Sequence, residues 1–417
     1  MSSSTRPLDG VRILDFSRVL AGPLSTALLA DLGAEVVKIE PPTGDDYRHI
    51  GPMRAGISSL FTALNRNKKS LVLDLKHPEA VALVQALARE ADVVVENFRP
   101  GVAERLGIGP QALCGANPRL VYVSVSGFGQ SGPLSHLPAY DIIVQAMSGL
   151  MEATGEPGGA PTMVGEAVSD VVAGLFASWA TLAALLQQRR TGQGQHVDVA
   201  MFDATLAFLV TSVGRYIFTG QSAQRSGNRH AFSAPFGVYR AADGHFALAV
   251  LNNKLFAALA QLIGEPELAT DARFASDESR RAHEPVLAAS IERWAAPQSV
   301  AQVVQALEEA GVPGGPLWTT AQALQSEQAR YRAVLQPVDD ARLPGLQVPT
   351  QPVKFGGSAP NRAEPAPALG EHTQALLAQW LGCTGERLHA LQVAGAFGSA
   401  HPIHSTPSAP SLSKEPA

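Results

Sequence analysis

The sequence is poor in cysteine. It has two, Cys114 and Cys383, which lie far apart and form neither a Cys-x-x-Cys motif nor a metal-ligand spacing. No metal centre is therefore expected, and both thiols are interpreted as ordinary side chains in a reducing cytosol. The N-terminal MSSSTRP has no apolar core and so lacks the pattern of a signal peptide. These features predict a cytoplasmic protein.

Charge of either sign is also scarce. Charged residues make up 17% of the chain, the formal net charge is −5 and the pI is near 6.1. Such a balance excludes nucleic acid as the main partner, because phosphate backbones require a basic surface. The hydrophobic content of 46% is typical of a soluble globular protein. A chain of 417 residues is too long for one ordinary core and predicts two domains.

The N-terminal region alternates apolar strands with helices, which predicts a parallel, doubly wound α/β sheet. The predicted strands span residues 11–16, 35–39, 71–75, 92–96 and 120–126, and the predicted helices span 24–32 and 77–90. Residues 18–23 follow the first strand and read RVLAGP, not the G-x-G-x-x-G of a dinucleotide site. A nicotinamide-dependent dehydrogenase is therefore a remote alternative.

Basic residues recur in segments that the pattern places after strands. Lys68 and Lys69 lie in a predicted basic loop, residues 65–70, and further cations follow at Lys76, Arg99 and Arg105. Loop cations are most often only solvated. Because parallel sheets bind ligands at the carboxyl ends of their strands, this recurrence also fits a phosphate-bearing ligand.

Residues 167–186 are almost wholly apolar and small, with one ionisable side chain, Asp170. The segment predicts a largely buried helix. Ser169 or Asp170 could simply be its N-cap. Alternatively, Asp170 is a nucleophilic carboxylate in an apolar pocket, kept ionised by the helix dipole. A transmembrane span is allowed by length, but the acid and the Gly/Ser/Ala content disfavour it, so no membrane partner is expected.

The C-terminal half predicts a second, smaller domain. Residues 232–250 read as a hairpin with Asp243 and Gly244 at its turn. Helices are predicted at 253–262, 285–311 and 370–380, with Pro/Gly-rich linkers between. The predicted domains are a large domain formed by residues 1–220, a small domain formed by 221–335, a return segment with C-terminal helices of the large domain at 336–398, and a disordered tail at 399–417.

Several segments occur in a characteristic order: LDGVRILDFSRVLAGP, LGAEVVKIEPPTGD, LNRNKKSLVLDLK, DVVVENFRPGVAERLGI, NPRLVYVSVSGFGQSGP, YDIIVQAMSGLM, GEAVSDVVAGLFA, RRTGQGQHVDVAM and LGEHT. Together they resemble the class III CoA-transferase family, the CaiB/BaiF type that includes formyl-CoA transferase. The resemblance covers about residues 8–389. It implies an interlocked homodimer, in which each chain has a Rossmann-like parallel-sheet large domain and a smaller α+β domain.

The resemblance implies that Asp170 is the catalytic residue, with Asp141 as the competing candidate. In such enzymes the carboxylate attacks an acyl-CoA thioester, and the reaction passes through an aspartyl anhydride and an aspartyl-CoA thioester. Water must be excluded, which the small apolar neighbours of Asp170 favour. Backbone N–H groups at the start of the helix are expected to stabilise the oxyanion. Acyl-CoA, possibly succinyl-CoA, and a carboxylic acid are the implied substrates, with no separate cofactor.

The resemblance also implies a CoA site. Its phosphate partners are expected to be Lys76 and Arg105. Some members have a basic residue where this chain has Pro41, and a glutamine where it has Leu20. The glycine run of formyl-CoA and oxalate enzymes is not visible, which argues against those acids. The implied site residues are Val19, Leu20, Ala21, Leu73, Lys76, Asn97, Phe98, Arg99, Arg105, Tyr140 and Asp141.

Two questions stay open at this point. An α-methylacyl-CoA racemase shares the fold and uses the matching aspartate with a histidine in a GHDxNY-like motif. Here Tyr140 takes the place of that histidine, and His136 lies four residues too early, so the racemase is the less favoured alternative. A non-catalytic CoA-binding protein is disfavoured by the intact Asp170. Arg229 or His230 could pair with a substrate carboxylate, or could belong to a solvated loop.

Overall fold

The computed structural model describes residues 6–356 and 363–398. The tail predicted at 399–417 lies outside these ranges. Within them the strands are β1 Arg12–Asp15, β2 Glu35–Glu40, β3 Met53–Arg54, β4 Ile57–Ser58, β5 Lys68–Val72, β6 Val93–Glu96, β7 Val121–Ser126, β8 His196–Ala200, β9 Phe236–Arg240, β10 His245–Ala249, β11 Gly314–Pro316, β12 Leu335–Pro337 and β13 Gln347–Pro349.

The helices of the same ranges are α1 Ala21–Asp31, α2 Ser59–Asn65, α3 Pro78–Glu90, α4 Val102–Arg105, α5 Pro110–Ala116, α6 Asp141–Met147, α7 Leu150–Ala153, α8 Val168–Thr191, α9 Met201–Phe208, α10 Val210–Thr219, α11 Asn253–Leu262, α12 Asp277–Ala282, α13 Glu284–Ala295, α14 Val300–Glu309, α15 Thr320–Gln325, α16 Glu327–Tyr331, α17 Thr373–Leu381 and α18 Gly385–Val393. The chain forms two compact units. Unit 1 comprises Met1–Ser148, Gly165–Val210 and Ala333–Ala417, and unit 2 comprises Gly149–Val164 and Thr211–Arg332.

Unit 1 is built on a six-stranded sheet in the order β5-β2-β1-β6-β7-β8. All neighbouring strands run parallel, which confirms the predicted α/β class. The chain adds strands outward from β1 on one side, and then from β6 on the other. The loops after β1 and β6 therefore diverge at a switch point, which is where open parallel sheets place their ligand sites.

The central strands are apolar on both faces because both faces are covered by helices. Alternate side chains of each strand enter two different cores. Leu14 of β1 and Val94 of β6 pack with residues of α3, α17 and α18. Ile13 of β1 and Val93 of β6 pack on the other face, with residues of α1, α8 and α9.

The predicted basic loop at residues 65–70 is wrong in part, because β5 already begins at Lys68. Lys68 is fully buried, and its Nζ lies 3.0 Å from Asp15 Oδ2. Lys69 forms an ion pair of 2.7 Å with Glu35. These paired acids let two lysines enter a strand, so neither cation is a free loop group.

Unit 2 contains a three-stranded antiparallel sheet in the order β11-β10-β9. The strands β9 and β10 form the hairpin that the sequence predicts, with Asp243 and Gly244 between them. The helix predicted at 285–311 is instead two helices, α13 and α14, which break at residues 296–299. Ser299 caps the second of them by accepting the N–H of Gln302.

Candidate active site

A cavity of about 420 Å³ lies in unit 1, beside the loops that follow β1 and β6. Eight of the predicted site residues line it: Val19, Leu20, Ala21, Asn97, Phe98, Arg99, Tyr140 and Asp170. The structure thus brings together residues from four separate segments of the sequence. Their convergence follows from the parallel sheet, because the carboxyl ends of neighbouring strands meet at one edge.

Four predicted residues do not line this cavity. Leu73 is fully buried in the core, whereas Lys76 and Arg105 are exposed. Asp141 is the first residue of α6. Two residues outside the predicted set, Arg18 and Asp46, also line the cavity, and their charged groups lie 3.6 Å apart. Arg18 directly precedes Val19, so its proximity to a predicted residue was the available signal.

Asp170 lies in the first turn of α8, which begins at Val168. The expected N-cap role of Ser169 or Asp170 is wrong, because the N-cap position is Ala167 and has no side-chain bond. Asp141 supplies the cap from outside the helix. Its Oδ1 accepts the backbone N–H groups of Ser169 at 2.7 Å and Asp170 at 3.3 Å.

This cap also changes the expectation for the oxyanion. The Ser169 and Asp170 amides were the helix-start donors expected to stabilise it, but Asp141 already occupies both. The first turn of α8 therefore has no free N–H at these positions for a ligand. Any oxyanion formed at Asp170 needs donors from another element.

The electrostatic environment of Asp170 differs from the one expected. Burial and the nearby Asp141 charge raise the pKa of Asp170 to about 7. Burial and Asp141 thus outweigh the helix dipole, which was expected to keep the carboxylate strongly ionised. At neutral pH a large fraction of Asp170 is nevertheless ionised, and a carboxylate of raised pKa is a better nucleophile than an ordinary one.

The helix α8 packs closely on α1 because Gly174 has no side chain. A Cβ placed at Gly174 would lie 2.7 Å from the carbonyl oxygen of Ala21, closer than such atoms approach in proteins. Gly174 follows Asp170 by four residues and so lies on the same face of α8. Asp170 therefore faces the start of α1, where Leu20 and Ala21 line the cavity.

The residues at issue in the racemase alternative are exposed. Tyr140 is 70% exposed and lines the cavity, whereas His136 is exposed and does not. The geometry therefore supplies no histidine opposite Asp170 among the residues that line the cavity.

Arg229 and His230 of unit 2, the two candidates for pairing with a substrate carboxylate, differ in their environments. Arg229 donates to Glu284 Oε1 at 2.6 Å, also bonds the Val238 carbonyl, and stacks 4.5 Å from the Tyr239 ring centre. His230 stacks on Phe236 at 4.5 Å between ring centres. Its Nδ1 accepts the Ser233 N–H at 3.1 Å, which places the ring proton on Nε2. Arg229 is thus engaged within unit 2.

The fold and the cavity together define an α/β enzyme whose ligand site lies at a sheet switch point and contains a half-buried carboxylate, Asp170. Comparison with known proteins agrees with this class. The model of CoA-transferase family III matches residues 8–373. The chain therefore belongs to CoA-transferase family III, as the sequence resemblance implied, and is an enzyme of that class.

Similar proteins extend over nearly the whole chain. A protein of Acetobacter aceti named acetyl-CoA:oxalate CoA-transferase is 45% identical over 373 residues, which is 89% of this chain and 95% of the relative. A Chloroflexus aurantiacus protein named succinyl-CoA–D-citramalate CoA-transferase is 38% identical, over 93% of this chain and 97% of the relative. The crystal structure of a CaiB/BaiF family protein from Brucella suis has a TM-score of 0.81 at 36% identity, over 90% of this chain and all of that one.

Proposed function

We propose that this enzyme moves CoA from an acyl-CoA donor to a carboxylic acid acceptor, with Asp170 as the catalytic nucleophile. The observation that supports this role is the position of Asp170. It is a half-buried carboxylate that lines the cavity, it lies on a helix of small apolar residues, and its pKa is raised to about 7. A carboxyl group of this kind is partly ionised at neutral pH, and its carboxylate is poorly solvated and reactive toward a thioester.

The proposed reaction has four steps. The Asp170 carboxylate attacks the thioester carbonyl and expels the CoA thiolate, which leaves a mixed anhydride. The thiolate attacks the Asp170 carbonyl of this anhydride, which frees the donor acid and leaves an aspartyl-CoA thioester. The acceptor carboxylate then attacks that thioester and again releases the thiolate. Finally the thiolate attacks the acceptor carbonyl, which gives the new acyl-CoA and restores Asp170.

Each of these attacks forms an oxyanion, and α1 offers donors for it. The backbone N–H groups of Leu20, Ala21 and Gly22 have no hydrogen-bond acceptor within residues 6–356 and 363–398. They lie at the positive end of an 11-residue helix, and Leu20 and Ala21 line the cavity. We propose these amides, rather than those of α8, as the groups that stabilise the oxyanion.

We propose succinyl-CoA as a donor, because the C. aurantiacus relative is named for it. The sequence argument against oxalate is weakened by the A. aceti relative, whose name includes that acid. Incubation of several acyl-CoA donors with a panel of carboxylic acids, followed by mass spectrometry of the CoA esters, tests these assignments.

We further propose that the enzyme is a cytoplasmic, interlocked homodimer. We retain the predicted domains, a large domain of residues 1–220 and 336–398 and a small domain of residues 221–335. The compact units differ in placing Gly149–Val164 and residues 211–220 in unit 2. Supporting the homodimer, α8 exposes a row of large apolar side chains, of which Trp179 is 65% and Leu186 is 61% exposed. A surface of this kind is usually covered by a partner. Further members of the row are Leu175, Phe176 and Leu182.

The same helix is long and apolar enough to cross a membrane by length and composition alone, and in the described residues the bent pair α9 and α10 could count as a second such span. However, α8 also packs on α1, β7, β8 and α9, as a core helix does. We therefore propose that a second copy of the chain covers its exposed row. Trp179→Asp with Leu186→Asp should reduce dimer formation when the denatured chains are refolded, measured by light scattering after size exclusion. An unchanged mass, or binding to lipid vesicles, would contradict this proposal.

The catalytic role of Asp170 is tested by substitution and by trapping. Asp170→Ala should lower kcat by about ten-thousandfold while CoA still binds, because the nucleophile is lost and the cavity remains. Hydroxylamine added with an acyl-CoA should convert Asp170 to a hydroxamate, located by peptide mapping. Glu166 is an exposed carboxylate outside the cavity, so Glu166→Gln is the control. It should retain the wild-type kcat and the hydroxylamine modification of Asp170. A modified residue other than Asp170 would overturn the assignment.

A further inference from the structure

Residues 17–19, of which Arg18 and Val19 line the cavity, are held by side chains rather than by backbone hydrogen bonds. The Ser17 N–H donates to Asp15 Oδ1 at 2.9 Å, and the Ser17 carbonyl accepts from Lys38 Nζ at 2.8 Å. Asn97 binds the N–H and the carbonyl of Arg18 at 2.8 and 2.7 Å. Consecutive polar groups of the backbone are thus each fixed by a side chain from elsewhere in unit 1.

The last group in this series is the N–H of Val19, which donates to Asp45 Oδ1 at 3.2 Å. Val19 has a φ of +69°, in the left-handed region that β-branched residues rarely adopt. A conformation of this kind persists only where surrounding contacts impose it, and such residues cluster at functional sites. The same Asp45 oxygen accepts the N–H of Tyr47 at 2.9 Å, so one carboxylate fixes two segments.

Asp45 is in turn held by Lys38. The Lys38 Nζ lies 2.8 Å from Asp45 Oδ2, and both side chains are fully inaccessible to solvent. Lys38 therefore binds the carbonyl of Ser17 and the carboxylate that binds Val19, one on each side of Arg18. Burying two charges is costly, and apolar residues of similar volume often stabilise a fold equally well or better. The pair thus calls for a role other than stability.

We infer that the buried Lys38–Asp45 pair positions the acyl-CoA site, by imposing the left-handed backbone of Val19 and so fixing where residues 19–21 meet the substrate. The identity of the ligand in this inference rests on the proposed function. Lys38 and Asp45 do not line the cavity, so they act through the backbone of Val19 and not on the substrate. They are positioning residues.

Two double variants test the hydrogen-bond acceptor at position 45 after both charges have been removed. Lys38→Met with Asp45→Asn removes both charges but keeps an oxygen acceptor for the Val19 N–H. Lys38→Met with Asp45→Leu removes the charges and the acceptor. Both lose the same Lys38 contacts and both charges, so they differ in the side-chain oxygen that accepts the N–H groups of Val19 and Tyr47. Should leucine prevent folding, Asp45→Ala in the same background removes the acceptor with a smaller side chain.

The leucine variant should bind CoA about tenfold more weakly than the asparagine variant in calorimetry, and should show a matching rise in KM for acyl-CoA. The control is the buried Arg66–Asp31 pair, 2.6 Å apart, neither of which lines the cavity. Arg66→Met with Asp31→Asn should alter thermal stability but leave KM unchanged. Equal CoA affinity in the two position-45 variants would overturn the inference.

A second readout does not depend on the ligand. Hydrogen exchange of the peptide containing residues 17–21, measured by mass spectrometry without substrate, should be faster in the leucine variant than in the asparagine variant. Equal exchange would refute the positioning role whatever the activity shows. If exchange differs while the wild-type enzyme binds no acyl-CoA, the proposed function fails and the conformational role of the pair stands.

Discussion

Asp141 and Asp170 meet at the start of one helix, although they are 29 residues apart in the sequence. Asp141 Oδ1 accepts the backbone N–H of Asp170 at 3.3 Å, so the helix that contains one carboxylate is capped by the other. The second oxygen of Asp141 accepts from Gln145 Nε2 at 2.6 Å, which orients the cap. Asp141 therefore serves two purposes. It satisfies the start of α8, and its negative charge helps to raise the pKa of Asp170.

The first prediction concerns the pH dependence of catalysis. Because the pKa of Asp170 is raised to about 7 and its ionised form is the proposed nucleophile, kcat/KM should fall as the pH drops below 7. Asp141→Asn keeps an oxygen for the cap but removes the like charge. It should move this acidic limb to lower pH by roughly half to one unit.

The control for that profile is Glu96, because burial also raises its pKa to about 7. Glu96→Gln retains an acceptor for the Phe98 N–H and should leave the acidic limb in place. An acidic limb that disappears in Glu96→Gln, or that stays unmoved in Asp141→Asn, would exclude Asp170 as its source.

The second prediction links the same carboxyl group to stability. A carboxyl whose folded pKa is raised from 3.8 to about 7 disfavours the folded state once it must ionise. The free energy of unfolding of the wild type should therefore fall as the pH rises from about 4 to 7, because ionising Asp170 costs more free energy in the folded state than in the unfolded state. Asp170→Asn cannot ionise, so it should gain roughly 1–3 kcal/mol over the wild type at pH 8 and little at pH 4.

Urea unfolding at both pH values measures this difference, with freshly prepared Asp170→Asn to limit deamidation. Glu166→Gln serves as the matched control, since its carboxylate is exposed. A stability gain of equal size at pH 4 and pH 8 would mean that Asp170 is not destabilised by burial of its charge.

The third prediction concerns the phosphates of CoA. Arg18 and Arg99 line the cavity, so Arg18→Ala and Arg99→Ala should each raise the KM for acyl-CoA about tenfold with little change in kcat. Contacts made equally in the ground state and the transition state behave in this way. A fall in kcat at constant KM would show that these arginines act on the reacting atoms.

Lys76→Ala and Arg105→Ala provide the comparison, because the sequence resemblance named these residues as phosphate partners while both lie outside the cavity. A rise in KM as large as that of the cavity arginines would place the nucleotide end of CoA along this outer surface. An unchanged KM in both variants would contradict the sequence-based prediction.

The fourth prediction separates the transferase from the racemase alternative. A transferase reacts at the carbonyl carbon, whereas a racemase needs a base on each side of the α-carbon. With Tyr140 in the place of the second base, 2-methylacyl-CoA incubated in heavy water should remain unlabelled at its α-position. Addition of a suitable acid should instead move CoA to that acid. Rapid α-deuteration without an acceptor would favour the racemase.

The regular part of the fold was predictable because its signals are local. The strands β6 and β7 are continuous apolar runs, as expected for strands that are covered on both faces. The loops that line the cavity then follow from the strand order of a parallel sheet. The choice of Asp170 also had a local signal, since it is the single ionisable residue in a long apolar segment.

The contacts that define the environment of Asp170 have no local signal. Nothing near Asp170 in the sequence indicates that Asp141 caps its helix. The local sequence instead predicts a cap from Ser169 or Asp170, which belong to the helix. Lys68 looked like a loop cation because its partner, Asp15, is 53 residues away. The left-handed backbone of Val19 is imposed by Asp45 and is opposed by the intrinsic preference of valine, so the local sequence argues against it.

The close packing at Gly174 has a consequence for how the active site is built. An α8 with any larger residue at this position would have to move away from α1, and Asp170, one turn earlier on the same face, would move with it. The distance between Asp170, the proposed nucleophile, and the amides of Leu20 and Ala21 is thus limited by the lack of a side chain at Gly174, and not by a hydrogen bond. A hydrogen bond can lengthen by a few tenths of an ångström, whereas two backbones already in contact cannot come closer. Gly174 therefore determines how closely α8, which contains Asp170, approaches the start of α1 in the proposed catalytic site.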